Sequence, residues 1–261
     1  MNKRFFTLIT GASGGIGHDL AMVAAADGKN LVLVARSVGK LEQIAEAIRR
    51  NYKTEVMPIV ADLSDESGVN TLISEISNQN IQINTLINNA GFGDFGDFAK
   101  ADLAKNMEMI RLNISTLTQL CHFALQEMLK TGNGKIMNIA STAAFMPGPG
   151  MAVYYASKAY VLSFSEALTR ELKGSGITIT TLCPGPTDTD FASAAGLGKS
   201  LLHRMLPPAT SIQVAKAGYN AMTNGKAIEI PGFMNKLSTF IPRFSPRSLV
   251  RNMIYGIHKS H

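Results

Sequence analysis

Residues 5–17 read FFTLITGASGGIG, a short apolar run that breaks directly into glycines. The run is rich in β-branched and aromatic residues, which favours a buried strand. Glycines at positions 11, 15 and 17 allow the backbone to turn tightly and to approach a pyrophosphate, whose charge the amino terminus of a following helix stabilises. A glycine-rich turn could also be only a tight strand-to-helix connection. Its position directly after the first strand favours a dinucleotide site.

The alternation of short apolar runs with helical patterns continues along the whole chain. Seven runs have the composition of buried strands: FFTLIT (5–10), NLVLVA (30–35), EVMPIVA (55–61), TLINNA (85–90), KIMNIAS (135–141), TITTLCP (178–184) and KAIEIPG (226–232). Strands that alternate with helices indicate βαβ units and a parallel sheet buried on both faces. Because the chain has no linker, repeat or low-complexity block, we expect one doubly wound α/β domain over residues 1–261, with seven parallel strands and helices on both faces.

The composition excludes several classes of protein. With 261 residues, of which 46% are hydrophobic, the chain can build a large core, so we do not expect disorder. The apolar stretch near the amino terminus is too short for a signal peptide, and no run reaches the length of a membrane span. Cys121 and Cys183 lie far apart without a CxxC motif, and we interpret them as reduced core thiols of a cytoplasmic protein. The histidines form no ligand motif, so we expect no metal site, and we expect no nucleic-acid partner.

Positive charge is concentrated at the end of the chain. No acidic residue follows Glu229, and five of the six net positive charges lie beyond it, on Lys236, Arg243, Arg247, Arg251 and Lys259. We favour a docked carboxy-terminal helix with a solvated basic face. The alternative for this basic extension, residues 233–261, is an amphipathic segment that contacts an anionic membrane surface or an acidic substrate.

The end of the second strand bears on the choice of cofactor. An NAD-binding site would place an acidic residue there, about 20 residues beyond the glycines, to hold the ribose hydroxyls. Here the strand ends in Ala35 and Arg36. A guanidinium suits a 2′-phosphate, so the pattern favours NADP(H), although an arginine after a strand can also be an ordinary surface residue.

Two tyrosines and a lysine lie close together in AVYYASKAY, residues 152–160. In a helix, Lys158 can approach either Tyr154 or Tyr155, because side chains three and four residues apart are neighbours. The two tyrosines themselves diverge by about 100°. The helical spacing alone therefore leaves open which phenol would serve in chemistry.

Several motifs in register resemble the short-chain dehydrogenase/reductase family along nearly the whole chain. TGASGGIG (10–17) is similar to the family's TGxxxGxG, NNAG (88–91) matches the segment after strand four, and CPGPTDT (183–189) resembles the turn after strand six. The family's spacings of 24, 28, 13 and 4 residues are met by the series Asn89, Asn113, Ser141, Tyr154 and Lys158. Tyr155 fails the last two intervals. The subgroup most similar to the chain is that of long-chain 3-oxoacyl and steroid-type carbonyl reductases.

The resemblance implies a Rossmann fold and a set of catalytic residues. Tyr154 would exchange a proton with the substrate oxygen, Ser141 would hydrogen-bond that oxygen, Lys158 would stabilise the ionised phenol, and Asn113 would anchor a water. The implied cofactor-binding residues are Gly11, Ser13, Gly15, Ile16, Gly17, Arg36, Asp62, Leu63, Asn89, Ala90, Gly91, Tyr154, Lys158, Pro184, Gly185, Thr187 and Thr189.

The region after strand six is apolar and punctuated by glycine, as in a lid over a pocket, and we assign the lid to residues 186–210. A segment that merely completes the core is the alternative. The residues expected to line a pocket are Met146, Met151, Phe191, Leu197, Leu201, Leu202, Met205 and Leu206.

The sequence therefore predicts an NADPH-dependent reductase of an apolar carbonyl compound, either a ketone or a 3-oxoacyl thioester. The alternatives are a dehydrogenase of a small polar alcohol or sugar, and a non-catalytic NADP-binding sensor. We expect a homodimer or a homotetramer.

Overall fold

A computed structural model describes residues 4–79, 81–196 and 208–259. Its strands are β1 (Arg4–Thr10), β2 (Asn30–Ala35), β3 (Val56–Val60), β4 (Ile81–Asn88), β5 (Gly134–Ile139), β6 (Ile177–Leu182), β7 (Thr187–Asp188), β8 (Ala209–Thr210) and β9 (Ile228–Glu229). Seven of them form one parallel sheet in the order β3-β2-β1-β4-β5-β6-β9, and β7 pairs with β8. The predicted seven-stranded parallel sheet is confirmed.

Helices cover both faces of this sheet. They are α1 (Gly15–Ala26), α2 (Val38–Asn51), α3 (Glu66–Asn78), α4 (Leu103–Ile110), α5 (Leu117–Thr131), α6 (Ala152–Glu171), α7 (Phe191–Ala194), α8 (Ser211–Thr223), α9 (Phe233–Phe240) and α10 (Arg247–Lys259). A π-helical segment, Arg111–Thr116, joins α4 to α5, and 3-10 turns form at Phe98–Lys100, Thr142–Phe145 and Ile241–Arg243. One core packs α3, α5 and α6 against the sheet, and a second core packs α1, α2 and α8 against its other face. The chain is thus doubly wound, as predicted.

Two strands differ most from their predicted limits. β4 begins at Ile81, four residues before the predicted start, because Arg4 and Phe5 of β1 continue the pairing in that direction. β9 is only two residues long, at the edge of the sheet, where it pairs with Thr181 and Leu182. Pro231 follows shortly after it and has no N–H to extend the ladder.

The two short strands lie at the ends of the segment that we assigned to a lid. Thr187 pairs with Ala209 and Asp188 with Thr210, so residues near the start and the end of 186–210 are held side by side. The short helix α7 follows β7. Residues 197–207, which include the predicted lining residues Leu197, Leu201, Leu202, Met205 and Leu206, lie outside the described residues.

The last helix packs against the body of the domain. α10 buries Val250, Ile254 and His258, which are four residues apart and therefore share one face. They contact a cluster that includes Tyr154 and Tyr155. Residues 247–259 thus adopt the docked arrangement, with Arg247 and Arg251 exposed. Within the described ranges, no helix is both long and apolar enough to cross a bilayer.

A tight contact of α3 generates our first prediction. A Cβ added at Gly68 would lie 2.0 Å from the Asp62 carbonyl oxygen, so Gly68→Ala must displace α3 from the loop after β3. We expect the free energy of unfolding in urea to fall by about 1–3 kcal/mol, as in other overpacked sites.

Gly39→Ala is the matched control, because Gly39 also lies near a helix amino terminus and a Cβ there meets nothing within 4 Å. It should be neutral or stabilising by up to about 1 kcal/mol. Equal losses in the two variants would contradict the packing argument.

Candidate active site

The candidate site lies where β1 and β4 end side by side. The connections leave these adjacent strands in opposite directions, which creates a crevice at the carboxyl end of the sheet. The Thr10 hydroxyl accepts hydrogen bonds from the backbone N–H groups of Asn89 and Ala90, each at 3.0 Å. The Asn89 side chain in turn donates to the carbonyl oxygens of Thr10 and Gly11 at 3.0 and 3.1 Å. These bonds fasten the glycine loop to the segment after β4.

The glycine loop has the close packing that a dinucleotide site requires. Gly11 and Gly15 adopt φ values of +66° and +52°, which residues other than glycine rarely adopt. A Cβ at Gly17 would lie 2.2 Å from the Gly11 carbonyl oxygen, so the first turn of α1 sits directly on the loop. Ser13 is half-buried in this loop, and Ile16 packs onto the core beneath it. A glycine-rich loop at a helix amino terminus leaves its backbone N–H groups accessible, which fits a bound pyrophosphate.

Arg36 lies after β2, beside two carboxylates. Its Nη1 atom is 3.8 Å from Asp62 Oδ2 and 3.8 Å from Glu108 Oε1, and its side chain is 69% exposed. Partial burial raises the pKa of Asp62, but hydrogen bonds from Ser64 and the charge of Arg36 outweigh burial and leave that pKa below its usual value. The guanidinium is therefore held over the edge of the crevice, with most of its surface open to a ligand. Leu63 is buried, and its carbonyl oxygen accepts a hydrogen bond from the Thr116 hydroxyl at 2.6 Å.

Asn113 lies in the π-helical segment between α4 and α5. Its side-chain amide binds the backbone of Phe92 through both groups: Nδ2 donates to the carbonyl oxygen at 3.0 Å, and Oδ1 accepts from the N–H at 3.2 Å. Nδ2 also donates to Ser157 Oγ at 3.1 Å. A Cβ at Gly91 would lie 2.8 Å from Asn113 Oδ1 and 3.5 Å from Lys158 Nζ, so Gly91 leaves the space between them open. A wide helical turn at such a place is common in functional sites.

Ser141 and Tyr154 meet at the end of β5. Ser141 caps the 3-10 turn that follows, accepting from the Ala143 N–H at 3.1 Å, and its hydroxyl donates to the Pro184 carbonyl oxygen at 3.4 Å. Burial raises the pKa of the Tyr154 phenol to about 12, and a hydrogen bond with Ser141 partly offsets that rise. At neutral pH the phenol is protonated and can donate.

Lys158 lies one helical turn after Tyr154, under the same cleft. Its ammonium donates to the Ile139 carbonyl oxygen at 2.9 Å and lies 5.8 Å from the centre of the Tyr154 ring. Burial lowers the pKa of Lys158 to about 8, so the ammonium is charged at neutral pH and loses its proton as the pH rises above that value. The structure thus brings Asn113, Ser141, Tyr154 and Lys158 together.

Tyr155 points elsewhere. Its hydroxyl lies 3.3 Å from Nε2 of His258 in α10, and Nδ1 of that histidine donates to the Pro149 carbonyl oxygen at 2.6 Å. Burial, reinforced by the neighbouring Tyr154, raises the pKa of Tyr155 far above its ordinary value. A Cβ at Gly148 would lie 2.2 Å from the Tyr155 ring, so this ring is fixed in the domain body.

The turn after β6 closes the other side of the crevice. The carbonyl oxygen of Pro184 accepts from the Thr142 N–H at 2.9 Å, and that of Gly185 accepts from the Thr187 hydroxyl at 3.0 Å. Thr189 faces the glycine loop, since a Cβ at Gly15 would lie 3.0 Å from its methyl group. This turn therefore lies against the same loop that would hold a pyrophosphate.

Apolar side chains surround Tyr154 on its outer side. Phe191 packs against the Tyr154 ring with 5.4 Å between ring centres, and a Cβ at Gly93 would lie 2.9 Å from Phe191. The buried members of this cluster are Met109, Ala143, Met151, Tyr154, Tyr155, Val250 and Ile254, and Met146 packs at its border.

Four residues at the site are not predicted from the sequence: Thr10, Ser157, Glu108 and His258. Thr10 lies within TGASGGIG and Ser157 within AVYYASKAY, so their positions in these motifs are a usable signal. Glu108 and His258 have no local sequence pattern that links them to the site. Glu108 reaches Arg36 from α4 and His258 reaches Tyr155 from α10, and only tertiary packing brings these pairs together.

Comparison with known proteins gives a consistent result. The family model described as short chain dehydrogenase matches residues 6–199. Sulfoacetaldehyde reductase 2 of Chromohalobacter salexigens is 37% identical over 186 residues, which cover 70% of this chain and 73% of that protein. The very-long-chain 3-oxoacyl-CoA reductase of Anas platyrhynchos is 30% identical over 225 residues, which cover 84% and 71%.

The fold agrees with solved structures as well. A short-chain dehydrogenase from Sphingobium yanoikuyae, in complex with NADPH, superimposes with a TM-score of 0.81 at 29% identity and covers 98% of this chain and 96% of its own. The matching model spans most of the chain, and the two relatives align over most of their own length. The chain therefore belongs to the short-chain dehydrogenase family of oxidoreductases.

Proposed function

We propose that the protein is an NADP(H)-dependent reductase that converts an apolar ketone or 3-oxoacyl thioester into a secondary alcohol. The observation that carries this proposal is the placement of Tyr154. A protonated phenol lies between a hydroxyl group, an ammonium group and an apolar cluster. This combination suits protonation of a carbonyl oxygen in a water-poor cleft.

Tyr154 supplies the proton in this proposal. The nicotinamide, when bound, supplies the hydride that reaches the carbonyl carbon. As negative charge develops on the substrate oxygen, the Tyr154 phenol donates its proton to it, and the Ser141 hydroxyl donates a hydrogen bond to the same atom. In the reverse direction, the ionised phenol accepts the proton from the alcohol.

Lys158 makes the loss of that proton less costly. Its buried ammonium lies close to the Tyr154 ring, and charge acts strongly where water is excluded. Within the described residues the ammonium has one hydrogen-bond acceptor, the Ile139 carbonyl oxygen, so two of its three hydrogens remain for the cofactor ribose or a water. Asn113 holds the Phe92 backbone and Ser157 beside it, and so acts as a positioning residue.

The surroundings of Tyr154 support an apolar substrate. Met151 and Phe191 border the phenol, and α10 closes the cluster with Val250 and Ile254. A substrate that approaches Tyr154 past these side chains gains by burying apolar surface, and it finds few polar partners among them. The name of the Anas platyrhynchos relative, a very-long-chain 3-oxoacyl-CoA reductase, agrees with this choice.

A small polar aldehyde is the second candidate, because the Chromohalobacter salexigens relative is a sulfoacetaldehyde reductase and has the higher identity of the two. An anionic substrate would need a cation near Tyr154. The structure places the Lys158 ammonium 5.8 Å from the centre of the Tyr154 ring, and the cluster on the outer side of that ring consists of apolar and aromatic side chains.

Arg36 supports NADP(H) over NAD(H). The guanidinium is largely exposed beyond the end of β2, where a ribose 2′-phosphate would lie, and the strand end offers no acid to hold a free 2′-hydroxyl. Asp62 and Glu108 hold the guanidinium at that edge without covering it.

The substrate assignment predicts a ranking. With NADPH consumption followed by absorbance, kcat/KM for an aryl alkyl ketone or a 3-oxoacyl thioester should exceed that for sulfoacetaldehyde by at least tenfold, about 1.4 kcal/mol, because burial of two or three methylene groups supplies that difference. The reverse ranking would favour the second candidate.

Tyr154→Phe should lower kcat by 100-fold or more, the range expected for loss of a general acid, while the apolar ring keeps its packing and NADPH still binds. Tyr155→Phe is the matched control, because it removes the same group one residue away and costs only the hydrogen bond to His258. Both should be measured at saturating NADPH with melting temperatures compared. An inactive Tyr155→Phe enzyme beside a normal Tyr154→Phe enzyme would overturn the mechanism.

NADPH should bind at least tenfold more tightly than NADH, a difference of about 1.4 kcal/mol that one charge-assisted phosphate contact can supply. Fluorescence titration of both nucleotides measures it, and Arg36→Asp should reverse the preference. Arg50→Asp makes the same charge change near the far end of α2 and should leave the ratio intact. Equal affinities in the unaltered protein would contradict the assignment.

A further inference from the structure

The helix α9 is amphipathic in the opposite sense to an ordinary surface helix. Its inner side is polar: Thr239 is buried and Asn235 and Ser238 are half-buried. Asn235 packs so closely on the turn after β6 that a Cβ at Gly185 would lie 2.3 Å from its side-chain oxygen. A helix of a water-exposed domain normally turns its apolar side to the core. In α9 the side that faces the core is the polar one.

The outer face of α9 is correspondingly apolar. Phe233 is 78% exposed and Phe240 is 54% exposed, with Leu237 between them on the same side of the helix. The stripe continues into the next turn, where Phe244 is 77% exposed and its ring centre lies 5.0 Å from that of Phe240. Met234 and Ile241 are exposed alongside. We call this set of six side chains the outer face of α9.

The segment that carries this face has basic side chains and no acidic ones. Lys236 and Arg243 lie within the same segment, and both are exposed. Neither has an acidic side chain within 4 Å in the part of the chain that the structure describes. Arg247 and Arg251 follow in α10, and the sequence has no Asp or Glu after Glu229. The face thus combines exposed aromatic and aliphatic side chains with two exposed cations of the same segment.

We propose that the outer face of α9 binds the surface of an anionic lipid bilayer. Exposed apolar patches of this kind are typical of sites that bind a protein or a membrane. The positive charge of the segment favours an anionic partner. A second copy of this chain would bring cations against cations, which opposes self-association. An anionic bilayer complements Lys236 and Arg243, whose long stems can lie along the membrane while their charges reach the headgroups. Phenylalanine and leucine then enter the boundary between headgroups and acyl chains.

The location of α9 gives this contact a consequence for the active site. α9 contacts the 3-10 turn Thr142–Phe145, which begins next to Ser141, and Arg243 lies 6.0 Å from the centre of the Phe145 ring. Bilayer contact would therefore place the mouth of the cleft beside the membrane surface. That consequence rests on the proposed apolar substrate, which would dissolve in the bilayer, whereas the contact itself does not depend on it.

Cosedimentation of the full chain with vesicles tests the proposal without any activity assay. We expect binding to vesicles of phosphatidylcholine with 30 mol% phosphatidylserine at 50 mM NaCl, and at least tenfold weaker binding at 500 mM NaCl, because salt screens the attraction between charges. Vesicles of pure phosphatidylcholine should bind at least tenfold more weakly. No binding to the anionic vesicles, or equal binding to both compositions, would overturn the proposal.

Two kinds of variant locate the contact. Phe233→Ser with Phe244→Ser should weaken binding at least tenfold, and Lys236→Gln with Arg243→Gln should weaken it at least fivefold and flatten the salt dependence. The matched control is Phe5→Ser with Leu129→Ser, two exposed apolar residues at the opposite end of the sheet, and it should bind like the unaltered protein. NADPH binding and the melting temperature check that each variant is folded.

Sedimentation velocity without vesicles tests whether a second copy of the chain, and not a bilayer, covers the outer face of α9. If Phe233→Ser with Phe244→Ser dissociates an oligomer of the unaltered protein, the outer face of α9 is an interface between copies of the chain and the proposal is wrong. An unchanged oligomeric state together with lost vesicle binding supports it.

Discussion

The seven strands of the main sheet all run in one direction, and the candidate site depends on this constraint. Parallel strands place all their carboxyl ends at one edge, so the loops that follow β1, β4, β5 and β6 meet there although they are far apart in sequence. The crevice opens between β1 and β4 because the chain changes direction across the sheet at that point. The glycine loop, the Asn89 segment, Ser141 and the Gly185 turn then face a common space.

Within that space, burial sets the chemistry of the two central groups in opposite senses. Tyr154 becomes a weaker acid and Lys158 a weaker base, because each resists the charged form when water is removed. The pair is therefore one protonated phenol and one ammonium at neutral pH, close enough for the cation to stabilise the phenolate as it forms. Burying the Lys158 ammonium costs free energy, and folded domains usually avoid such burial. A buried charge of this kind favours a functional site over an ordinary core position.

The features that could be predicted from the sequence are those that short segments determine by themselves. The order of strands and helices and the glycine loop follow from local composition, because a buried strand and a tight turn restrict their own residues. The choice between Tyr154 and Tyr155 did not follow from helical spacing, and needed the interval to Ser141. The side of α9 that faces the core could not be predicted, because an amphipathic pattern shows which side is apolar but not what covers it. The contacts of Glu108 and His258 likewise depend on packing between distant elements.

The placement of β1 in the interior of the sheet has a consequence for how the chain is made. Leu8 pairs with Val32 on one side and with Leu86 on the other, so β1 stays half-paired until Leu86 has left the ribosome. Pairings over such separations are slow to form, and an apolar strand with an open edge is exposed to aggregation meanwhile. The cleft is completed later still, when α10 arrives with Val250 and Ile254. Synthesis thus yields the strands of the sheet before it yields an enclosed cleft.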